Sequence, residues 1–258
     1  MEKSKVASKK KPKDQPRKDT SPKVYQREKI DFDLHIRELP WTEKQKALIE
    51  LGGSKDCRII FLAGPAGSSK TLSAVRIGLE LLNQKKVSDL VFVRAAVESA
   101  DSKLGFLPGD IAGKYEPYMG PFEDKIEELL PAGEVKRLKG EGRFIYQPIN
   151  FVRGASWTAR CVIIDECQNM TINEIQTLLT RIGKFTRMIL CADSAQSDLP
   201  KAKQGGFDKC LHMFNTEQAE KMGIYSLAFT NEDIMRSELC KFIVQTFEDN
   251  HNVLHPQH

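Results

Sequence analysis

The stretch Ile59–Thr71, IIFLAGPAGSSKT, decides how the rest of the chain is read. Four apolar residues (Ile59, Ile60, Phe61, Leu62) lead to Gly64. Pro65, Ala66, Gly67, Ser68 and Ser69 follow without a bulky side chain, and Lys70 and Thr71 open a helical pattern. Strand, small-residue turn and helix N-terminus in that order make a phosphate-binding loop. Backbone N–H groups of such a turn converge on phosphate oxygens, and the helix dipole adds positive potential. Gly64 to Thr71 are therefore the expected nucleotide cradle, with Lys70 on the β- and γ-phosphates and the Thr71 hydroxyl on Mg²⁺. One position departs from G-x-x-x-x-G-K-[ST], because the second glycine is Ser69. Its Cβ would crowd the phosphates, or its hydroxyl would add a donor, and both readings stay open.

A second element completes the chemistry. Cys161–Glu166, CVIIDE, is an apolar strand ending in adjacent carboxylates, 95 positions after Lys70. Asp165 is expected in the Mg²⁺ shell and Glu166 as the group that polarises the attacking water. The pairing has a reason: a carboxylate occupied by metal cannot also act as base. Just past the apolar run Arg187–Ala192 stands Gln196, an amide placed to sense the γ-phosphate or orient the water.

Composition bounds the alternatives. The 258 residues are 40% hydrophobic and 29% charged, ordinary for a soluble globular protein with room for one large α/β domain. The net charge of +4 is unevenly spread: the first 30 residues carry +7 and the remainder −3. Residues 1–29 are rich in Lys, Ser and Pro and too poor in apolar side chains to offset their conformational entropy, which predicts a disordered basic arm. Such an arm grips a nucleic-acid backbone or serves as a solubilising tail. Residues 30–258 read as one domain. The six cysteines form no C-x-x-C pair and the five histidines stand at no ligand spacing, which argues against a disulfide scaffold and against zinc. With no apolar run of about 18 residues and no secretory apolar segment, no membrane span is expected and a cytoplasmic location is.

The remaining elements follow from pattern. Thr42–Gln45 is a capping box opening a helix to about Leu51, closed by Gly52-Gly53. The helix after the phosphate loop runs Lys70–Gln84. Asp89–Arg94 reads as a buried strand, Ala95–Pro121 as a long Gly- and Pro-punctuated segment, and roughly Phe122–Leu130 as helix. Phe144–Tyr146 is a short strand. Thr171–Glu174 caps a helix to about Ile182, Ile224–Phe229 is the last strand, and Asn231 starts a final helix to Phe247. Strands alternating with helices predict an α/β P-loop NTPase fold, a mostly parallel sheet with helices on both faces.

The blocks in this order resemble the PhoH family of P-loop ATPases, a group related to superfamily-1 helicases and common in bacteria and phages. GPAGSSKT resembles the family's Walker A, and IIDECQNM (Ile163–Met170) its Walker B. The long block Val93–Asp124, NFVRGASW (Asn150–Trp157), Leu178–Pro200 and NEDIMRSEL (Asn231–Leu239) resemble its other conserved segments. The family usually has Gly at the position of Ser69, Gly-Asp where this chain has Ala192-Asp193, and Arg-Thr where it has Ala155-Ser156. The resemblance implies ATP and Mg²⁺ as cofactors and hydrolysis coupled to RNA or single-stranded DNA. It also implies a homo-oligomeric ring, with a hexamer as the expected size. By the same resemblance Gln45 contacts the adenine edge, although the capping box explains that residue equally well. Arg181 and Arg236, with Arg153 as third choice, are the arginines for neutralising transition-state charge from a neighbouring subunit. Two other functions remain. Ser69 motivates a nucleotide-dependent scaffold with little turnover. A small-molecule kinase is the weaker reading, because no arginine for a phosphate lid occurs between Asp193 and Arg236.

Overall fold

The computed structural model describes residues 27–94, 111–149, 156–193 and 204–234, with Val152, Gln196, Ser197, Leu199 and four positions beyond Ile234. For residues 111–118 it describes the backbone alone. Most of the expected basic arm, much of the Val93–Asp124 and Asn150–Trp157 blocks, and most of the expected final helix lie outside the described residues.

Six strands form one sheet: β1 Ile59–Ala63, β2 Asp89–Arg94, β3 Phe144–Tyr146, β4 Arg160–Asp165, β5 Arg187–Ala192 and β6 Ile224–Ala228. Their order is β3-β2-β4-β5-β1-β6, and every neighbouring pair is parallel. The apolar runs are continuous because the inner strands are covered on both sides. Alternate residues serve opposite cores. Ile60, Leu62, Leu90, Phe92, Cys161 and Ile163 pack on one face, and Phe61, Val91, Val93, Val162 and Ile164 on the other.

Helices α1 (Glu43–Gly53), α2 (Lys70–Asn83), α3 (Ile111–Leu129) and α4 (Ala132–Gly140) cover the first face with Leu48, Leu79, Phe122 and Leu138. Helices α5 (Ile172–Leu179) and α6 (Gly206–Met213) cover the second with Ile175, Leu178 and Phe207. A short α7 (Glu217–Lys221) precedes β6. Both expected capping boxes form: Thr42 and Thr171 each accept from the backbone N–H three residues on, and that residue's side chain accepts in return. Among the described residues no helix is long and apolar enough to cross a membrane.

Three expectations need correction. Helix α3 begins at Ile111 rather than near Phe122, so Pro117, Gly120 and Pro121 lie within it. Burial of Phe122, Ile126 and Leu129 against the sheet outweighs the local preference of those residues to end a helix. Helices α4, α6 and α7 have no counterpart in the pattern reading, since each is short, with nine residues or fewer. The helix expected to start at Asn231 opens as a single 3₁₀ turn, Asn231–Asp233.

The entry to β1 depends on Gly223, whose carbonyl accepts from the N–H groups of Arg58 and Ile59 at 2.7 and 3.0 Å. Its φ is +81°, and an added Cβ would lie 2.1 Å from the Asp56 carbonyl oxygen. Gly223→Ala is therefore expected to destabilise the fold by about 2 kcal/mol or more, measured by urea unfolding.

Candidate nucleotide site

Because the strands are parallel, Ala63, Arg94, Asp165 and Ala192 all end at one edge of the sheet. Strand β5 lies between β1 and β4, so the phosphate loop and the carboxylate strand flank the segment that carries Asp193 and Gln196. These elements line a cavity of about 500 Å³ together with Pro121, Lys125 and Glu128 of α3.

The loop after β1 is held from inside. The Ser68 hydroxyl donates to the Pro65 carbonyl at 2.8 Å, and Gly67 takes the left-handed conformation, φ +82°. Ser69 is left-handed too (φ 60°, ψ 30°) at the N-cap of α2, and its side chain makes no cap hydrogen bond. A glycine would sit there without strain. For a serine the conformation costs roughly 1–2 kcal/mol, so the turn is shaped by the loop's surroundings and not by residue 69.

Lys70 Nζ donates to the carbonyls of Gly64 and Pro65 at 2.7 and 2.8 Å. Burial pushes its pKa below the ordinary 10.5, while Asp193, Cys191, Asp165 and Glu166 work in the opposite direction. Across the cavity the Thr71 hydroxyl donates to Asp165 Oδ1 at 3.0 Å. Burial and the adjacent Glu166 raise the Asp165 pKa above the usual 3.8, against Arg94 and the Thr71 hydroxyl. A hydroxyl and a carboxylate oxygen at this spacing fit Mg²⁺, which takes few protein ligands and keeps water and phosphate for the rest. Among the described residues no cluster of three metal-binding side chains competes for a metal.

Glu166 stands in the left-handed region, φ 57° and ψ 36°, where β4 turns into a 3₁₀ helix. Its carboxylate has two partners. Arg94 donates at 3.1 Å, and Gln168 Nε2 donates at 2.6 Å. Gln168 also accepts from the Asp193 N–H at 3.0 Å, which ties the carboxylate turn to the end of β5. Gln196 is exposed and rims the cavity, its N–H bonded to the Asp193 carbonyl.

Gln45 differs from the adenine expectation. Its side chain is fully buried. Oε1 accepts from the Thr42 N–H at 2.9 Å, and Nε2 donates to the carbonyls of Ser68 and Asp233 at 3.1 and 3.0 Å. The capping reading is the one observed, and neither amide N–H is left for a base edge. The residue instead links the phosphate loop to the segment after β6, where Asp233 accepts from the Thr42 hydroxyl at 2.7 Å. Burial disfavours the Asp233 carboxylate, but hydrogen bonds from Thr230 and Thr42 and the charge of Lys44 outweigh it and hold the pKa below 3.8.

Arg181 is not brought to this cavity. Its carbonyl accepts from the Trp157 N–H, three residues before β4 starts, which puts it at the opposite edge of the sheet. Arg153 and Arg236 lie outside the described residues. The cations that do line the cavity beside Lys70 are Arg94 and Lys125. No role was assigned to Arg94 or Gln168 from the sequence. The available signals were a strand ending in arginine and a glutamine two places after the carboxylate pair.

Residues 39–248 match the family model described as PhoH-like protein. The chain belongs to the PhoH-like family. A PhoH-like protein of a Synechocystis species is 32% identical over 198 residues, 77% of this chain and 59% of that one. Protein PhoH of Escherichia coli is 36% identical over 186 residues, 71% and 51% of the two chains. This PhoH-like chain thus spans between half and three fifths of those relatives' length. Among solved structures, the large terminase of a thermophilic bacteriophage aligns with a TM-score of 0.46 at 11% identity, covering 85% of this chain and 51% of that one.

Ser69→Gly removes the left-handed strain at the cost of a more flexible unfolded chain. It is expected to stabilise the protein by about 0.5–1 kcal/mol in urea unfolding. Ser69→Ala, which keeps the strain and loses only an uncapped hydroxyl, should leave stability near that of the parent.

Proposed function

We propose that this chain is a Mg²⁺-dependent ATPase whose turnover is coupled to RNA or single-stranded DNA. The observation that carries the ATPase reading is the 3.0 Å contact between Thr71 and Asp165, with Lys70 and Glu166 in the same cavity. Thr71 and Asp165 would hold Mg²⁺, which when bound neutralises charge between the β- and γ-phosphates. The loop N–H groups and the start of α2 orient the phosphates. Lys70 exchanges the carbonyls of Gly64 and Pro65 for phosphate oxygens. Glu166 accepts a proton from the attacking water, and Gln196 on the rim orients that water or senses the γ-phosphate.

The Arg94–Glu166 pair favours a further point. With Arg94 and Gln168 on its oxygens, Glu166 is held in one orientation, and Arg94 competes with the attacking water for it. Catalysis then requires Arg94 to turn from Glu166 to the γ-phosphate, the anion that would replace the carboxylate as its partner. A resting state of this kind would keep turnover slow without the partner polymer. A ring of subunits, with a hexamer as the expected size, is the companion proposal. In it Arg181, remote from its own cavity, or Arg236 would serve the neighbouring subunit.

Hydrolysis is best tested by phosphate release with and without RNA or DNA. Glu166→Gln is expected to keep ATP binding and lower turnover by about 10²–10⁴-fold, and unchanged turnover would remove Glu166 from its role. Lys70→Ala should abolish ATP binding. Arg94→Ala is expected to raise the polymer-free rate relative to the stimulated rate, while Arg94→Lys restores the parental ratio. Equal ratios in all three proteins would show that the pair is only structural. Sizing of the full chain with and without ATP tests the ring.

A further inference from the structure

A second cavity, of about 560 Å³, opens at the opposite edge of the sheet. Its walls come from the residues that lead into β1, β2, β4 and β5, so it shares no residue with the phosphate-loop cavity. Six cations line it, Lys29, Lys55, Arg58, Lys85, Lys86 and Arg187, and among the described residues no carboxylate does. The protein engages them only in part. Lys86 donates to the Gly53 carbonyl at 2.7 Å, Arg58 reaches the Gly183 carbonyl at 3.5 Å, and Lys85 stands 3.7 Å from Asp33.

Arg187 is the exception that points to a ligand. It is only 6% exposed. Its Nη2 donates to the Ser54 carbonyl at 2.6 Å, but Nε and Nη1 are buried without any acceptor. Two of the groups that could offset its charge are the Cys57 and Cys161 thiols. Burial pushes these to about 11 and about 12, so both are neutral. A buried guanidinium with one carbonyl and, among the described residues, no counter-ion is expensive to maintain, and an anion in the adjoining cavity would offset its charge. Beside it Phe185 is 67% exposed, a flat apolar surface at the mouth of a cationic cavity. Phosphate and a ring to stack are the two features of one nucleotide unit.

We propose that this cavity binds a nucleoside phosphate, free or as one unit of a single strand, with the phosphate on Arg187 and Arg58 and the base on Phe185. The site stands apart from ATP hydrolysis, so the full chain carrying Lys70→Ala is the protein to test, with the phosphate loop disabled. It is titrated with a fluorescein-labelled short oligouridylate and separately with UMP. Binding of UMP assigns a free nucleotide, and binding of oligouridylate alone assigns a strand. In either case Phe185→Ala is expected to weaken affinity by about fivefold or more. Arg58→Ala is expected to weaken it and to flatten the salt dependence of oligouridylate binding by about 0.7. Both side chains are exposed, so a matching circular dichroism spectrum and melting temperature establish that the variants are folded. The proposal is overturned if neither probe binds. It is equally overturned if both folded variants bind as the parent does, which would place oligouridylate elsewhere on the chain.

Discussion

Parallel pairing is the constraint on which the rest of this structure depends. Parallel strands need a crossover for every return, and covering the sheet on both faces leaves only its two edges for anything polar. The carboxyl edge therefore collects the loop after β1, Arg94, the Asp165–Glu166 pair and the segment after Ala192. The order β4-β5-β1 adds the detail that matters chemically. With β5 between them, the phosphate loop and the carboxylates flank one cavity, and Gln196 rims it.

This edge is stiffened by groups that do no chemistry themselves. Gln45 is the clearest case. One buried amide closes the N-terminus of α1, holds the Ser68 carbonyl in the phosphate loop and fixes the backbone at Asp233. Leaving any of those groups unpaired in the interior would cost on the order of 1–3 kcal/mol. Through Gln45 the geometry of the loop is thus tied to the segment at Asp233, 188 positions from that glutamine in sequence. Gln168 does the same between the Glu166 turn and β5. Both residues act by placing others.

How much of this was legible in the sequence follows from which forces are local. The strands could be read because burial on both faces writes itself as an uninterrupted apolar run, as in Arg160–Asp165 and Arg187–Ala192. Helix starts at Thr42 and Thr171 could be read because a capping box is satisfied within four residues. Lys70, Thr71 and Asp165 were recognisable because their spacing encodes a shared ligand. The early start of α3 was hidden, since Pro117 and Pro121 signal an end and only packing of Phe122 and Ile126 overrides them. The Arg94–Glu166 pair was hidden for another reason: it arises from the β2–β4 register, in which Arg94 stands opposite Asp165. No spacing rule within the chain contains that fact. Arg181 shows the converse, a residue in a familiar block that stands just past α5 at the edge opposite its own phosphate loop.

The distribution of backbone strain links the two edges. Among the described residues five non-glycines have positive φ: Ser69, Lys85, Ala159, Glu166 and Phe185. Ser69 and Glu166 line the phosphate-loop cavity, and the other three line the cationic cavity at the far edge. Such conformations cost of order 1–3 kcal/mol each and survive only where the surroundings impose them, which is why they gather at binding sites. Turns that merely connected a helix to a strand could have used glycine, as this chain does at Gly142 and Gly223. That all five strained side chains point to one cavity or the other is a reason, separate from charge, to treat the two ends of this sheet as two sites.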